Sequence, residues 1–272
     1  MVHFLEDSCR RRPMADPVLA FDIETVPDVE AGKILYGLEG LADDDVMRAM
    51  RQLRRQRVGH DFMPPHLQRI VAIGLVLELE SSVRAWSLGS PDSGEAELIG
   101  RFFEGLEQYR PTLVSWNGGG FDLPVLAYRA LRHGISAGAY WEMGDNERDY
   151  RFNNYVSRYH WRHVDLMDVL AHFQARSNAP LDEVARLIGL PGKSGVGGAH
   201  VAEAWLAGEI GAIRDYCEID TMNTYLIWLR FELLRGRLDE AAYARRLKTL
   251  RDQMLSWSDR PHFIEFANAW QP

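Results

Sequence analysis

Apolar and polar positions along this chain follow two periods. Residues 17–24 form an apolar run broken only by two acids, which predicts a strand covered on both sides. Residues 68–80 and 83–88 read as two strands of a hairpin turning at Ser81-Ser82, and 112–116 as a short buried strand. Leu98, Phe102 and Leu106 recur on one face of an amphipathic helix over 95–108. Residues 28–66 carry little strand character and one helix, near 43–57. Further helices are expected from the turn at 117–122 to Gly134, from a short strand or turn at 163–166 to Gln174, and at 181–188, 199–207, 209–235 and 238–255. Residues 135–160 read as irregular, and 189–198 as a glycine-rich loop. The order is a three-stranded meander, then strand–helix units, then helices. It predicts an α/β fold with a mixed sheet and helices on both faces. There is no internal repeat and no low-complexity linker.

Composition narrows this picture without changing it. A chain of 272 residues can bury a full core, as one large domain or two small ones. Its 46% hydrophobic and 26% charged residues are ordinary for a globular protein. The longest apolar run, 70–77, is far too short to span a bilayer. Arg10, Arg11 and Arg12 are followed by no apolar stretch of the secretory kind, so a cytoplasmic location is expected. Residues 1–16 are expected to be a loosely ordered tail, 17–235 the main domain, and 236–272 a helical extension packed on it. Cys9 and Cys217 are not expected to pair, and no Cys/His cluster has zinc spacing. The net charge of −8, with 39 acids against 31 bases, argues against a non-specific DNA coater. It is compatible with an enzyme that grips one strand end in a local groove.

The acids carry the chemistry. Asp22 and Glu24, in Val-Leu-Ala-Phe-Asp-Ile-Glu-Thr (18–25), are two apart on a strand and share a face. Two acids on a buried strand repel each other and resist desolvation, and a divalent cation would remove both penalties. The alternative is a strand end facing water. Asp122 closes Ser115-Trp-Asn-Gly-Gly-Gly-Phe-Asp. It reads as the N-cap of the following helix, as a ligand at a helix mouth, or as both. Tyr216 and Asp220 lie four apart on one helix face. Asp220 is the only charged member of the stripe Ile213, Cys217, Asp220, Thr224, Ile227 and Phe231. A core-facing acid needs a partner, either a cation or an arginine.

Phe-Asp-Ile-Glu-Thr (21–25), Asn117-Gly-x-x-Phe121-Asp122 and Tyr216-x-x-x-Asp220 resemble, in order and separation, the three motifs of the DEDD-type 3′→5′ exonucleases. The tyrosine subclass fits best, and the nearest likeness is to the proofreading exonuclease domain of family B DNA polymerases. Each motif alone is weak; the ordered set is specific. The resemblance covers about residues 17–235. In 272 residues there is no room for a polymerase, so a stand-alone relative is expected. It implies a ribonuclease-H-like fold, with a mixed central sheet flanked by helices, and hydrolysis with two divalent cations, Mg²⁺ or Mn²⁺. Carried over by motif, Asp22 bridges both ions, Glu24 and Asp220 hold the one that activates water, and Asp122 holds the second. Tyr216 orients the attacking water. Thr25, Asn117 and Phe121 fall at the substrate 3′ end. The alternatives are a turn-stabilising residue for Asn117 and a core ring for Phe121.

The remaining signals are weaker. Gly192-Lys-Ser194 is not a P-loop, because Leu187 stands where its first glycine belongs. Lys193 reads as a phosphate contact or as part of a solvated loop. Asp165 reads as a helix cap within reach of the site, and Asp168 as a first-turn acid. Arg48, Arg51, Arg54, Arg55 and Arg57 form a basic stripe that either steers the substrate or is simply solvated. Residues 150–163 suit single-strand contacts or an aromatic mini-core. The reading is a metal-dependent 3′→5′ exonuclease acting on single-stranded or frayed DNA, with DNA repair as its setting. The alternatives are an exoribonuclease with the same site, or a non-catalytic nucleic-acid-binding protein on this fold.

Overall fold

Five strands form one sheet in the order β3-β2-β1-β4-β5. They are β1 (Val18–Pro27), β2 (Gln68–Leu79), β3 (Ser82–Ser87), β4 (Thr112–Ser115) and β5 (His163–Asp165). The structure, a computed structural model, describes residues 17–80, 82–192 and 200–270. β1 runs antiparallel to β2 and parallel to β4. β2 and β3 make the hairpin, and β5 extends the parallel side. The meander and the flanked mixed sheet are as the sequence predicts. The proposed tail at 1–16 lies outside the described residues.

Helices cover both faces: α1 (Val29–Tyr36), α2 (Asp43–Val58), α3 (Glu95–Tyr109), α4 (Asp122–His133), α5 (Gly138–Trp141), α6 (Leu166–Leu170), α7 (Leu181–Leu187), α8 (Val201–Leu206), α9 (Ile210–Leu234), α10 (Glu240–Ser256) and α11 (Pro261–Ala269). Alternation along β1 decides what packs where. Leu19, Phe21 and Ile23 join Leu98, Phe102 and Leu106 of α3 and Leu126 of α4. Ala20 faces the opposite core, with Ile219, Met222 and Leu226 of α9. Asp22 and Glu24 follow Ala20 in the pleat, so they point toward α9.

Four elements depart from the sequence reading, one of them α5, a single turn inside the stretch 135–160 read as irregular. α1 was not expected; its eight residues are too few to hold a helix alone. Asp28 caps it by accepting the Ala31 N–H at 3.0 Å. Gly32 lets α2 approach, since a Cβ there would sit 2.3 Å from Met50 Sδ. α6 stops at Leu170 rather than Gln174, because His172 and Phe173 turn left-handed at φ 51° and 59°. α11 is additional, and it changes how α9 must be read. Leu250 and Met254 of α10 and Phe263 and Phe266 of α11 belong to the core around α9. α9 is therefore buried nearly all round, not along one stripe. Asp220 is accordingly not its only buried acid: Glu218 is buried too, and it pairs with Arg260 and His262.

A buried ion network ties the end of β1 to its neighbours. Arg129 of α4 pairs with Asp28 and Glu95, and Glu95 also accepts the Ile70 N–H at 2.7 Å. Each charge has an opposite partner, without which burial would be strongly destabilising. Among the described residues, no helix is long and apolar enough to cross a membrane.

Candidate active site

The site grows from a disturbance in the central strand. The register of β1 against β2 shifts between Glu24 and Thr25. Such a bulge bends the strand and re-aims its side chains. Gly74 stands opposite Asp22. A Cβ there would lie 2.5 Å from Thr221 Oγ1 and 2.9 Å from the Cys217 carbonyl oxygen. Glycine thus lets α9 settle onto the sheet beside the two acids. An isolated glycine in an otherwise apolar strand was the available sequence signal for this close approach.

Cys217 marks where the acids meet. Its Sγ is 3.8 Å from Asp22 Oδ2, and one ligand atom each from Asp22, Glu24 and Cys217 lie within 4.8 Å of one another. Burial pushes the Cys217 thiol well up, and the charges of Asp22, Glu24 and Asp220 push it further. Three carboxylates from β1 and α9 therefore share one neighbourhood. The thiol stays protonated there, which makes it a poor ligand beside carboxylates for a hard cation.

Asp122 joins from the other side. β4 pairs with β1 only over Val18–Ala20, so the next β1 amides on that edge need other acceptors. Asp122 Oδ1 accepts the Ile23 N–H at 3.2 Å, between Asp22 and Glu24 in sequence. This corrects the capping reading. Asp122 is the first residue of α4, and the residue before it, Phe121, makes no capping bond. The carboxyl accepts the Ile23 N–H of β1 as well as its own N–H at the start of α4. Burial pushes Asp122 up to about 7; the Asp122 and Ile23 N–H groups oppose the rise, and the Asp165 charge adds to it.

The turn that delivers Asp122 is held from β5. Asn117 is left-handed at φ 63°. Asp165 accepts the N–H of Asn117 and of Gly119, each at 2.9 Å, and caps α6 through the Asp168 N–H at 3.4 Å. Gly118 is required for space: a Cβ would lie 2.3 Å from Ser115 Oγ. The sequence reads Asp165 as a cap within reach of the site, but does not give its hold on the Asn117 turn. A turn with three glycines exposes amides that need an outside acceptor, and that was the missed signal. Asp165→Ala should lower stability by about 1–3 kcal/mol, since it strands those amides. Urea unfolding reads this, and an unchanged midpoint would mean that the turn supports itself.

His163 of β5 is buried 2.8 Å from Ser115 Oγ, and burial pushes it down to about 4. The folded state therefore favours neutral imidazole. Its contribution is complete above pH ~6.5 and is lost as pH falls toward 4, reaching about 3 kcal/mol. His163→Gln should remove that part of the acid sensitivity. Urea midpoints of both proteins at pH 7 and pH 4.5 check it: parallel losses would contradict the assignment.

The other candidates fall as follows. Tyr216 and Asp220 are both buried on α9, and the Tyr216 ring belongs to a cluster with Val26, Met47 and Val201. Thr25 is half-buried at the bulge. The Asn117 carbonyl oxygen accepts the Gly120 and Phe121 N–H groups, so Asn117 supports the turn. Phe121 is half-buried against Phe62. Lys193 lies outside the described residues. In 150–163, Arg162 stacks on Tyr150, and the buried Tyr155 hydroxyl donates to the Pro111 carbonyl oxygen, as in an aromatic mini-core. A cavity of about 490 Å³ lies on the β5 side of the Asn117 turn, lined by Tyr140, Tyr155, Arg158 and Asp165 but by none of the four candidate acids.

A five-stranded mixed sheet in this order, with helices on both faces, is the architecture of a polymerase-type exonuclease domain. The structure of the family B DNA polymerase from the hyperthermophilic archaeon Pyrobaculum calidifontis shares the fold. The TM-score is 0.50 at 20% identity, over 82% of this chain and 25% of that one, so the chain spans about a quarter of the polymerase. Residues 60–270 match the family described as a predicted 3′-5′ exonuclease related to the exonuclease domain of PolB, and the chain belongs to that family. The match contains Asn117, Phe121, Asp122, Tyr216 and Asp220 and extends through α10 and α11. It begins after β1, so Asp22 and Glu24 lie outside it. No curated protein matches the chain.

Proposed function

We propose that the protein removes nucleotides from the 3′ end of single-stranded or frayed DNA by metal-dependent hydrolysis, and that it works in DNA repair. The observation that carries this reading is the hydrogen bond from the Ile23 amide to Asp122. It brings the acid of the second motif to the strand segment bearing Asp22 and Glu24, whose side chains share the Cys217 neighbourhood with Asp220. The donor set fits a hard divalent cation, because carboxylate oxygens are what Mg²⁺ and Mn²⁺ take. Asp22, Glu24, Asp122 and Asp220 would hold two such ions, which polarise a phosphoryl oxygen and acidify a bound water.

The chain's own residues supply the rest. The Tyr216 hydroxyl holds the attacking water in line with the scissile P–O bond. Water adds to phosphorus, the 3′ oxygen leaves with a proton, and a nucleoside 5′-monophosphate is released. Thr25 and Asn117 offer polar contacts to the terminal nucleotide, Phe121 offers a ring for stacking, and Lys193 offers a charge for a phosphate. DNA is the proposed substrate because the family is named for its relation to PolB.

The test uses matched 5′-labelled DNA and RNA oligomers with Mg²⁺, with Mn²⁺ and with chelator. A metal-dependent ladder shortening from the 3′ end of DNA is expected. A ladder on RNA alone would make the protein an exoribonuclease. Binding without cleavage under every metal condition would make it a non-catalytic binder.

A further inference from the structure

We propose that α2 and residues 59–67 form a side wall that leads single-stranded nucleic acid toward the Asp122 end of the site. The proposal rests on the exonuclease reading and adds a binding surface to it.

Two aromatic pairs define the wall. Phe62 meets Phe121 with ring centroids 5.3 Å apart, and His66 meets Tyr128 at 5.8 Å. Phe121 stands just before α4 and Tyr128 lies seven residues on, within it, so the first pair is at the mouth of α4 and the second along its side. Phe62 is 56% exposed and Tyr128 50%. Rings this open contribute little to the core. Set in a row that starts one residue before Asp122, they offer π-faces to successive unpaired bases.

The charge beside the row is positive. Arg54 Nε donates to the Phe62 carbonyl oxygen at 3.1 Å, which fixes the arginine next to the first ring. Arg54, Arg57, Tyr36, Pro64 and His66 line a small cavity of about 130 Å³. The ion pairs divide the arginine stripe. Arg48 is paired with Asp45 and Arg55 with Asp61. Arg54 and Arg57 enter no ion pair among the described residues. Two guanidinium groups not taken up by acids, beside a row of exposed rings, match a chain of phosphates carrying stackable bases. In a protein of net charge −8, such a local surface would decide where a polyanion lies. The rings need open base faces, so the strand is single.

The test measures kcat/KM on a DNA trinucleotide and a 15-mer, and 15-mer affinity by fluorescence anisotropy in chelator. Phe62→Ala should weaken 15-mer binding roughly 5- to 150-fold, as expected for a lost stack. It should lower the ratio of 15-mer to trinucleotide kcat/KM by a similar factor. Arg57→Gln sits on an exposed helix position and tests the wall without disturbing a ring. It should reduce the slope of log affinity against log salt by about 0.7. Equal losses on both substrate lengths, or 15-mer binding and salt slope unchanged in both variants, would overturn the proposal. If the wild type cleaves nothing but binds the 15-mer in a Phe62-dependent way, the exonuclease reading falls and the wall stands. Wild-type protein that does not bind the 15-mer removes the wall.

Discussion

Asp22→Ala should abolish hydrolysis and leave a folded protein. Asp22 sits two residues before the bulge of β1, at the close-packed point where Gly74 admits α9 and Cys217 Sγ lies 3.8 Å from Oδ2. Without bound cations the carboxylates around Cys217 repel one another. Removing one relieves that repulsion, so the thermal midpoint of the metal-free protein should hold or rise. With Mn²⁺ present the order reverses. A ligand that binds only the native state stabilises it in proportion to its affinity, so the wild type should gain more than the variant. The rate should fall on the order of 10³-fold or more, the scale seen when a group that stabilises transition-state charge is removed. Single-turnover cleavage of a 5′-labelled oligomer and calorimetry with and without Mn²⁺ measure both effects. Wild-type cleavage by a pure variant would refute the proposed role of Asp22 in holding the ions.

Tyr216→Phe should cut the cleavage rate about 10²–10⁴-fold and leave substrate affinity and metal response nearly unchanged. The ring is buried in the cluster of Val26, Met47 and Val201, and phenylalanine keeps that packing. Only the hydroxyl is lost, and with it the hydrogen bond proposed to hold the attacking water. Tyr216 lies one helical turn before Asp220, so the two are offered to the same region. Pre-steady-state rates together with the KM of a DNA oligomer separate a positioning role from a packing one. Near-normal turnover would make Tyr216 a packing residue and withdraw the tyrosine-subclass assignment.

The parts of this protein legible in its sequence are those set by local periodicity. Alternation in β1 placed Leu19, Phe21 and Ile23 on one core and the two acids on the opposite face, and the structure keeps that division. The β2–β3 hairpin and α3 were visible for the same reason. What was not legible depends on partners distant in the chain. α1 exists because α2 covers Gly32. The second face of α9 is buried by α10 and α11, and without them Asp220 looked like a lone acid in a single stripe. The role of Asp122 turned on how far β4 extends along β1. Local rules favoured an N-cap; the structure makes Asp122 the first helical residue and gives its carboxyl to the unmet Ile23 amide as well as to its own. The three motifs named the acids, but not that Asp165 holds the turn that carries one of them.

Asp22, Glu24, Asp122 and Asp220 are proposed to form one site for divalent cations. Anomalous diffraction from crystals of the full chain grown with Mn²⁺ and a nucleoside 5′-monophosphate would locate the ions. Manganese peaks coordinated by carboxylates of β1, α4 and α9 together are expected, with the nucleotide phosphate against them. Manganese bound elsewhere, or peaks at β1 and α9 with Asp122 still turned to the Ile23 amide and coordinating nothing, would contradict the proposal.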